Sequence, residues 1–260
     1  FRYSAALKNN TPSIAYLNDV EQPIDVLQVR RGNPGLKSFQ SINQSFNAGY
    51  NKGLFGIDAL VTYNYEHKPI MESIFYEEDK FVRTYDNQKS FQNLAFEVDF
   101  HIKPWKDHLS ISIIPGLNRY ISHGNNYLHT YTMKSLRVNL DFSYRHWLAN
   151  FATIVPPNRY VYGEQLMKGD LMHTLMVGYK MPAWSVMAGV YNPFIRTYRS
   201  ENENWSALNP VKSDIHSNNM ARTVVIKFNF NLNFGKQLKN IRKAVQNMDN
   251  DPGIISGNKD

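Results

Sequence analysis

A chain of 260 residues with 42% hydrophobic residues, 13% aromatic residues and a mean hydropathy of −0.47 is polar on average yet rich in Tyr and Phe. No run approaches the ~18 consecutive apolar residues of a membrane-spanning helix, whereas a membrane-spanning strand, which alternates apolar and polar positions, stays open. A net charge of +7 without blocks of like charge points away from nucleic acid, and the absence of cysteine removes disulfides, thiol catalysis and thiolate metal sites.

In chain order, period-two alternation predicts about ten strands: 1–7 (partial), 39–51, 54–66, 91–103, 108–120, 134–145, 147–155, 171–181, 184–191 and 222–234. In the third, Phe55, Ile57, Ala59, Val61, Tyr63 and Tyr65 oppose Gly56, Asp58, Leu60, Thr62, Asn64 and Glu66. The fourth sets Leu94, Phe96, Val98, Phe100 and Ile102 against Glu97, Asp99, His101 and Lys103. The sixth sets Leu136, Val138, Leu140, Phe142 and Tyr144 against Arg137, Asn139, Asp141, Ser143 and Arg145. The last sets Val224, Ile226, Phe228, Phe230, Leu232 and Phe234 against Val225, Lys227, Asn229, Asn231 and Asn233.

Twelve residues, as in 223–234, span roughly 40 Å at about 3.3 Å each. Tilted about 45°, they project to roughly 28 Å, near the ~25 Å apolar band of an outer-membrane barrel. Strands of soluble sheets average only about 5–6 residues. An unpaired charge in a closed apolar core costs several kcal/mol, and far less beside a wet lumen. The alternation therefore predicts an all-β fold, an antiparallel transmembrane β-barrel. Its lumen-facing charges are Glu97, Asp99, Lys103, Arg137, Asp141, Arg145 and Lys227. They are expected to pack against a plug or to tune passage.

Trp105, Trp147 and Trp184 each sit at a short break between two alternating segments, which predicts one interfacial girdle at the turn side. The other connections, about 8–38, 67–90, 122–134, 156–169 and 193–219, are long and polar. Short turns on one side and long loops on the other match the periplasmic and extracellular faces of such barrels.

Four segments then carry a resemblance. Thr11-Pro12-Ser13 with Leu17 precedes Gly32-Asn33-Pro34-Gly35-Leu36, which leads directly into a long strand. Asn192-Pro193-Phe194 follows a later strand, and the last strand closes as Phe230-Asn231-Leu232-Asn233-Phe234-Gly235-Lys236. In this order they resemble the C-terminal part of the barrel in TonB-dependent receptors of the Bacteroidetes type, in the outer membrane protein β-barrel branch. The resemblance implies a section of a 22-stranded barrel with an N-terminal plug. It implies active import of a scarce nutrient: an iron chelate, haem, cobalamin, an oligosaccharide or a peptide. The implied partners are outer-membrane lipid, the plug and remaining strands, TonB through a segment outside this chain, and a surface lipoprotein. Residues 235–260 would form a periplasmic tail. The alternative is a self-contained ten-stranded barrel acting as a passive porin or structural protein.

Among candidate sites, Gly32, Asn33 and Pro34 read as a structural turn at the outer rim, as do Asn192, Pro193 and Phe194. The acidic run Glu72, Glu77, Glu78 and Asp79 lacks calcium-loop spacing and reads as a solvated loop. His123 and His129, near Tyr127 and Tyr131, form a candidate ligand loop, because His and Tyr can hold haem iron. Their six-residue separation does not specify a site, and no resident cofactor or metal is expected. No G-x-S-x-G, H-E-x-x-H or phosphate-loop pattern occurs, so no catalytic residue is assigned.

Overall fold

The computed structural model describes residues 1–156 and 159–230. The expected strand end at 231–234, with Leu232 and Phe234, and the tail at 235–260 lie outside the described residues. Eighteen strands run through the described residues: β1 (Arg2–Asn10), β2 (Gln22–Pro23), β3 (Gln28–Arg30), β4 (Phe39–Lys52), β5 (Phe55–His67), β6 (Ile70–Glu77), β7 (Lys80–Asn87), β8 (Ser90–Trp105), β9 (Leu109–His123), β10 (Leu128–Tyr144), β11 (Trp147–Ile154), β12 (Tyr160–Tyr162), β13 (Gln165–Gly169), β14 (Met172–Lys180), β15 (Trp184–Tyr191), β16 (Tyr198–Asn204), β17 (Val211–Ser217) and β18 (Thr223–Phe230). One helical turn, α1 (Ile14–Leu17), separates β1 from β2.

Ten strands form one wall in the order β1-β4-β5-β8-β9-β10-β11-β14-β15-β18. Every pairing in it is antiparallel. The alternation fixes its register, because a one-residue slip would send each apolar side chain to the other face. Thus Tyr50 pairs with Ile57, Ile57 with Phe100, Phe100 with Ile113 and Ile113 with Val138. This apolar row crosses five strands, and Ile57, Phe100 and Ile113 keep 45%, 47% and 45% of their surface exposed. Such a face is stable against lipid, not water. Among the described residues no pairing joins β1 to β18, so the wall is open.

Strands β8, β9 and β10 have 16, 15 and 17 residues, against the ~9–11 that cross a bilayer. Their surplus carries the wall beyond the apolar band on the loop side. The stretch expected as a loop at 122–134 is accordingly almost all strand, with only residues 124–127 between β9 and β10.

The other long connections are folded too. One four-stranded sheet has the order β2-β3-β7-β6 with β3 and β7 parallel, and another has the order β12-β13-β16-β17. The hydrophobic core sits where these loop strands meet the upper wall: Met71, Phe91, Tyr120, Met133, Val161 and Leu166. Glu72, expected in a solvated loop, lies in β6, where Arg83 donates to it at 2.6 Å. Glu77 accepts from Arg31 at 2.7 Å.

Candidate functional site

The inward face of the wall is polar and half-buried. Pairing and alternation put Glu97, Asp99, Arg137, Asp141 and Lys227 on it. Glu97 on β8 and Arg137 on β10 form a 2.5 Å ion pair across the intervening β9. Gly116 on β9 makes that crossing possible. A Cβ there would fall 2.5 Å from the Ser135 hydroxyl and 3.4 Å from Glu97 Cγ. Asp99 accepts from Ser112 at 2.6 Å. His101 lies 3.7 Å from Asp58 and 3.9 Å from Asp99, and its Nε2 meets the Asn51 carboxamide oxygen at 2.8 Å. Asp141 accepts from Asn150 at 2.7 Å. Lys103, Ser110, Asp141 and Asn150 line a hollow of about 480 Å³ near the turn end.

Arg145 departs from the expected set. It occupies the tight Arg145-His146 turn between β10 and β11 with φ +54°, and its guanidinium lies over the Tyr144 ring at 5.3 Å. A left-handed turn residue ends the alternation, so parity no longer assigns it to the inward face.

Trp105, Trp147 and Trp184 all lie at the turn end of the wall, on strands β8, β11 and β15. By parity Trp105 would face inward. A bulge after Ile102, where Pro104 has no N–H to offer the ladder, shifts the register so that Trp105 pairs with Leu109 on the apolar face. Its ring stacks on Tyr144 at 5.4 Å. Farther along, Trp147, Tyr179, Trp184 and Phe228 follow one another at 5.1, 5.9 and 6.5 Å, giving an outward aromatic row at one level.

The two turn motifs act as braces. Gly32 N–H donates to Asn18 O at 2.8 Å, and a Cβ there would collide with the carbonyls of Asn18 and Tyr16. Asn33 donates to Tyr85 O and to the Asp86 carboxylate at 3.0 and 2.8 Å, and its own oxygen accepts from Gly35 N–H. With Pro34 between these two, the turn locks α1 to β7, where Tyr16 stacks on Tyr85 at 4.0 Å. Asn192 is fully buried at φ +51°. Its backbone and side chain both bond His173, its amide donates to Met220 O, and its carbonyl accepts from Arg222 N–H. After Pro193, Phe194 turns outward onto Phe151 and His173.

His123 and His129 are not brought together. Alternation sends His123 to the outward face of β9 and His129 to the inward face of β10. There His129 stacks on Tyr127 at 5.0 Å, meets Trp205 edge-on at 5.1 Å and lies 4.0 Å from Glu164. Burial pushes the Glu164 carboxyl up and the Tyr127 phenol up to about 12. Trp205 carries no turn signal and pairs with no barrel strand, so sequence reasoning passed over it.

Sequence reasoning also missed a cleft of about 520 Å³ on the inward face directly below the loop core. Its floor is Asn93, Asn118, Ser135 and the Glu97–Arg137 pair, and its upper wall is aromatic, with Phe91, Tyr120, Tyr160 and Tyr162. Glu66 at its side accepts from Tyr162 O–H at 3.1 Å. The polar alternation could have flagged the floor. The aromatic wall could not be read, because Tyr160 and Tyr162 come from a distant loop.

An open antiparallel wall, apolar outside and charged inside, is the architecture of an outer-membrane barrel. Residues 2–150 match a family model described as the outer membrane protein beta-barrel family. The chain belongs to that family. No curated protein matches it. Membership places the protein in the bacterial outer membrane.

Proposed function

We propose that this chain forms the C-terminal section of the barrel of a TonB-dependent outer-membrane importer of the Bacteroidetes type. The reading is carried by the open wall. In lipid each unsatisfied backbone group costs several kcal/mol, so β1 and β18 require further strands beside them. The order of the Gly32-Asn33-Pro34 and Asn192-Pro193-Phe194 braces around the wall supports it, as does a charged inward face suited to pack against a plug. Energy coupling would then come through TonB engaging a segment outside this chain, and residues 235–260 would extend into the periplasm.

The test uses the intact protein extracted from outer membranes. It is expected to be retained by the immobilised periplasmic domain of TonB and to show no steady open-pore current in planar bilayers. Lack of retention together with steady conductance would overturn the reading in favour of a passive channel. Reversing both Asp99 and Asp141 is expected to loosen the plug, seen as leak current. An unchanged leak would remove the packing role of this face.

A further inference from the structure

The apolar outer face of the wall carries two cations with no counter-charge beside them. Among the paired residues of the wall, the outward positions hold no Asp or Glu and three Lys or Arg. Lys52 lies at the turn end, whereas Arg119 on β9 and Lys134 on β10 are neighbours near the other end. Arg119 pairs with Thr132 and Lys134 with Leu117, so the two cations stand diagonally on one face. Such positions are about 7–8 Å apart, within reach of long side chains. Both residues are exposed. Arg119 donates to Thr132 Oγ1 at 3.1 Å, and among the described residues neither cation meets a carboxylate.

Their depth follows from strand length. Arg119 is ten residues beyond Leu109, the start of β9, and Lys134 is ten residues before Tyr144, the end of β10. Ten residues make roughly 33 Å of strand at about 3.3 Å each, or roughly 23 Å of height at a tilt of about 45°. The apolar band of an outer-membrane barrel is ~25 Å tall, so the pair stands at its upper edge. Exposed Leu117 and Leu136 lie next below it on the same strands. A tyrosine marks the same edge: outward Tyr63 pairs with Leu94 beside Arg119 and donates to Gln92 at 3.2 Å.

The chemistry of the occupant follows from the charge. At this level the face meets lipid headgroups, and a cation costs only about 0–1 kcal/mol there against about 2–4 kcal/mol at the midplane. Two adjacent cations without an acid call for a doubly charged anion. A phosphate monoester carries about −1.5 to −2 at pH 7 on three strong acceptor oxygens, enough to bridge a guanidinium fork and an ammonium. A zwitterionic headgroup would bring an ammonium of its own, which no carboxylate on this face can receive. A singly charged phosphodiester would balance one cation and leave the other.

We infer that Arg119 and Lys134 form a site on the outward face for a lipid headgroup bearing a phosphate monoester, in the leaflet at the loop end of the wall. The inference uses the wall and its depth in the membrane, and stands or falls apart from the importer reading.

The experiment titrates the intact, detergent-purified protein with phosphatidic acid and reads retained lipid by native mass spectrometry. Phosphatidylglycerol serves as the phosphodiester control, phosphatidylcholine as the zwitterionic one and inorganic phosphate as the lipid-free one. Phosphatidic acid is expected to bind at least tenfold more tightly than each control. Arg119→Gln and Lys134→Gln should each weaken it about tenfold, and the double variant should fall to the phosphatidylcholine level. Lys52→Gln, on the same face at the turn end, should leave it unchanged. Heat-modifiable electrophoretic mobility reports folding. If the double variant does not fold, Lys134→Gln decides alone, because among the described residues its ammonium makes no bond within the chain. Equal binding of any control, or binding indifferent to the substitutions in folded protein, overturns the inference. So does a co-purifying acidic protein that the double variant loses while phosphatidic acid is not retained, since that gives the face to a protein partner.

Discussion

In the wall, Phe96, Phe100 and Ile226 face outward and remain 45%, 47% and 73% exposed, while in the loop sheets Met71, Val82 and Leu166 turn inward and are 1% exposed. Both regions are mostly antiparallel β-structure made from the same residue types. They differ in what surrounds them. The wall uses lipid as its apolar phase and reserves its inner face for charge, so it has little core of its own. The loop sheets stand in water and must build a core, which they complete with Phe91, Tyr120 and Met133 from the top of the wall. Loop and wall are thus joined by a shared core, and that joint shapes the cleft beneath it.

The comparison can be broken most forcefully at Leu166. Leu166→Ala should cost about 2–5 kcal/mol, felt first as protease sensitivity of the loop sheets, with the wall still migrating as a folded barrel. Simultaneous loss of both would show that the two are one cooperative unit. On the wall, Phe96→Arg should destabilise by about 2–4 kcal/mol in unfolding from lipid vesicles, because it sets a charge against hydrocarbon. An unchanged midpoint would mean that this face does not meet lipid.

Asn192 tests the hinge between the regions. Asn192→Ala should cost about 1–3 kcal/mol, since it leaves His173 N–H and Met220 O without their partner and keeps an unfavourable φ. Asn192→Gly should recover part of the loss in the same thermal assay by relieving φ alone. A fully recovered transition would assign the whole role to backbone.

The smallest effect concerns acid. Bonds from Glu201, Trp205 and Lys212 hold the Glu203 carboxyl down to about 2, and Arg199 holds Asp214 below its usual range. A carboxylate with a depressed folded value stabilises fully above its ordinary value and loses that contribution as pH falls through the folded one. Pepsin cleavage within 198–217 should therefore rise as pH drops from about 4.5 to about 2 while wall fragments persist. The double variant Glu203→Gln, Asp214→Asn should flatten that dependence. The Asp214 side chain keeps 33% of its surface open and that of Glu203 16%, so solvent screens the first pair more than the second and the change should be modest.

Much of the wall was legible because one physical constraint repeats along it. Lipid outside and water inside force period two, so Phe100 opposite His101, or Val138 opposite Arg137, announces both strand and face. The loop sheets carry no such constraint. The strands at 22–23, 28–30 and 160–162 are two or three residues long, too short for a period to register, and β3 pairs with β7 about fifty residues away. Arg145 was assigned by extending the alternation one step too far, into a left-handed turn. His123 and His129 looked like neighbours because a loop was expected between strands. The surplus length of β9 and β10 instead carries them onto opposite faces.

By itself, then, the sequence determined the wall: its strand number, its apolar outer face, its charged inner face and the end that carries its tryptophans. These follow from side-chain alternation, which is local and needs no partner to be read. Only the tertiary structure decided what the long connections do, which inward groups meet and where a cleft opens. Gly116 lets Glu97 reach Arg137 across a strand, and Tyr160 arrives over Asn93 from sixty-seven residues away. Such contacts depend on packing between distant segments, and no periodicity records them.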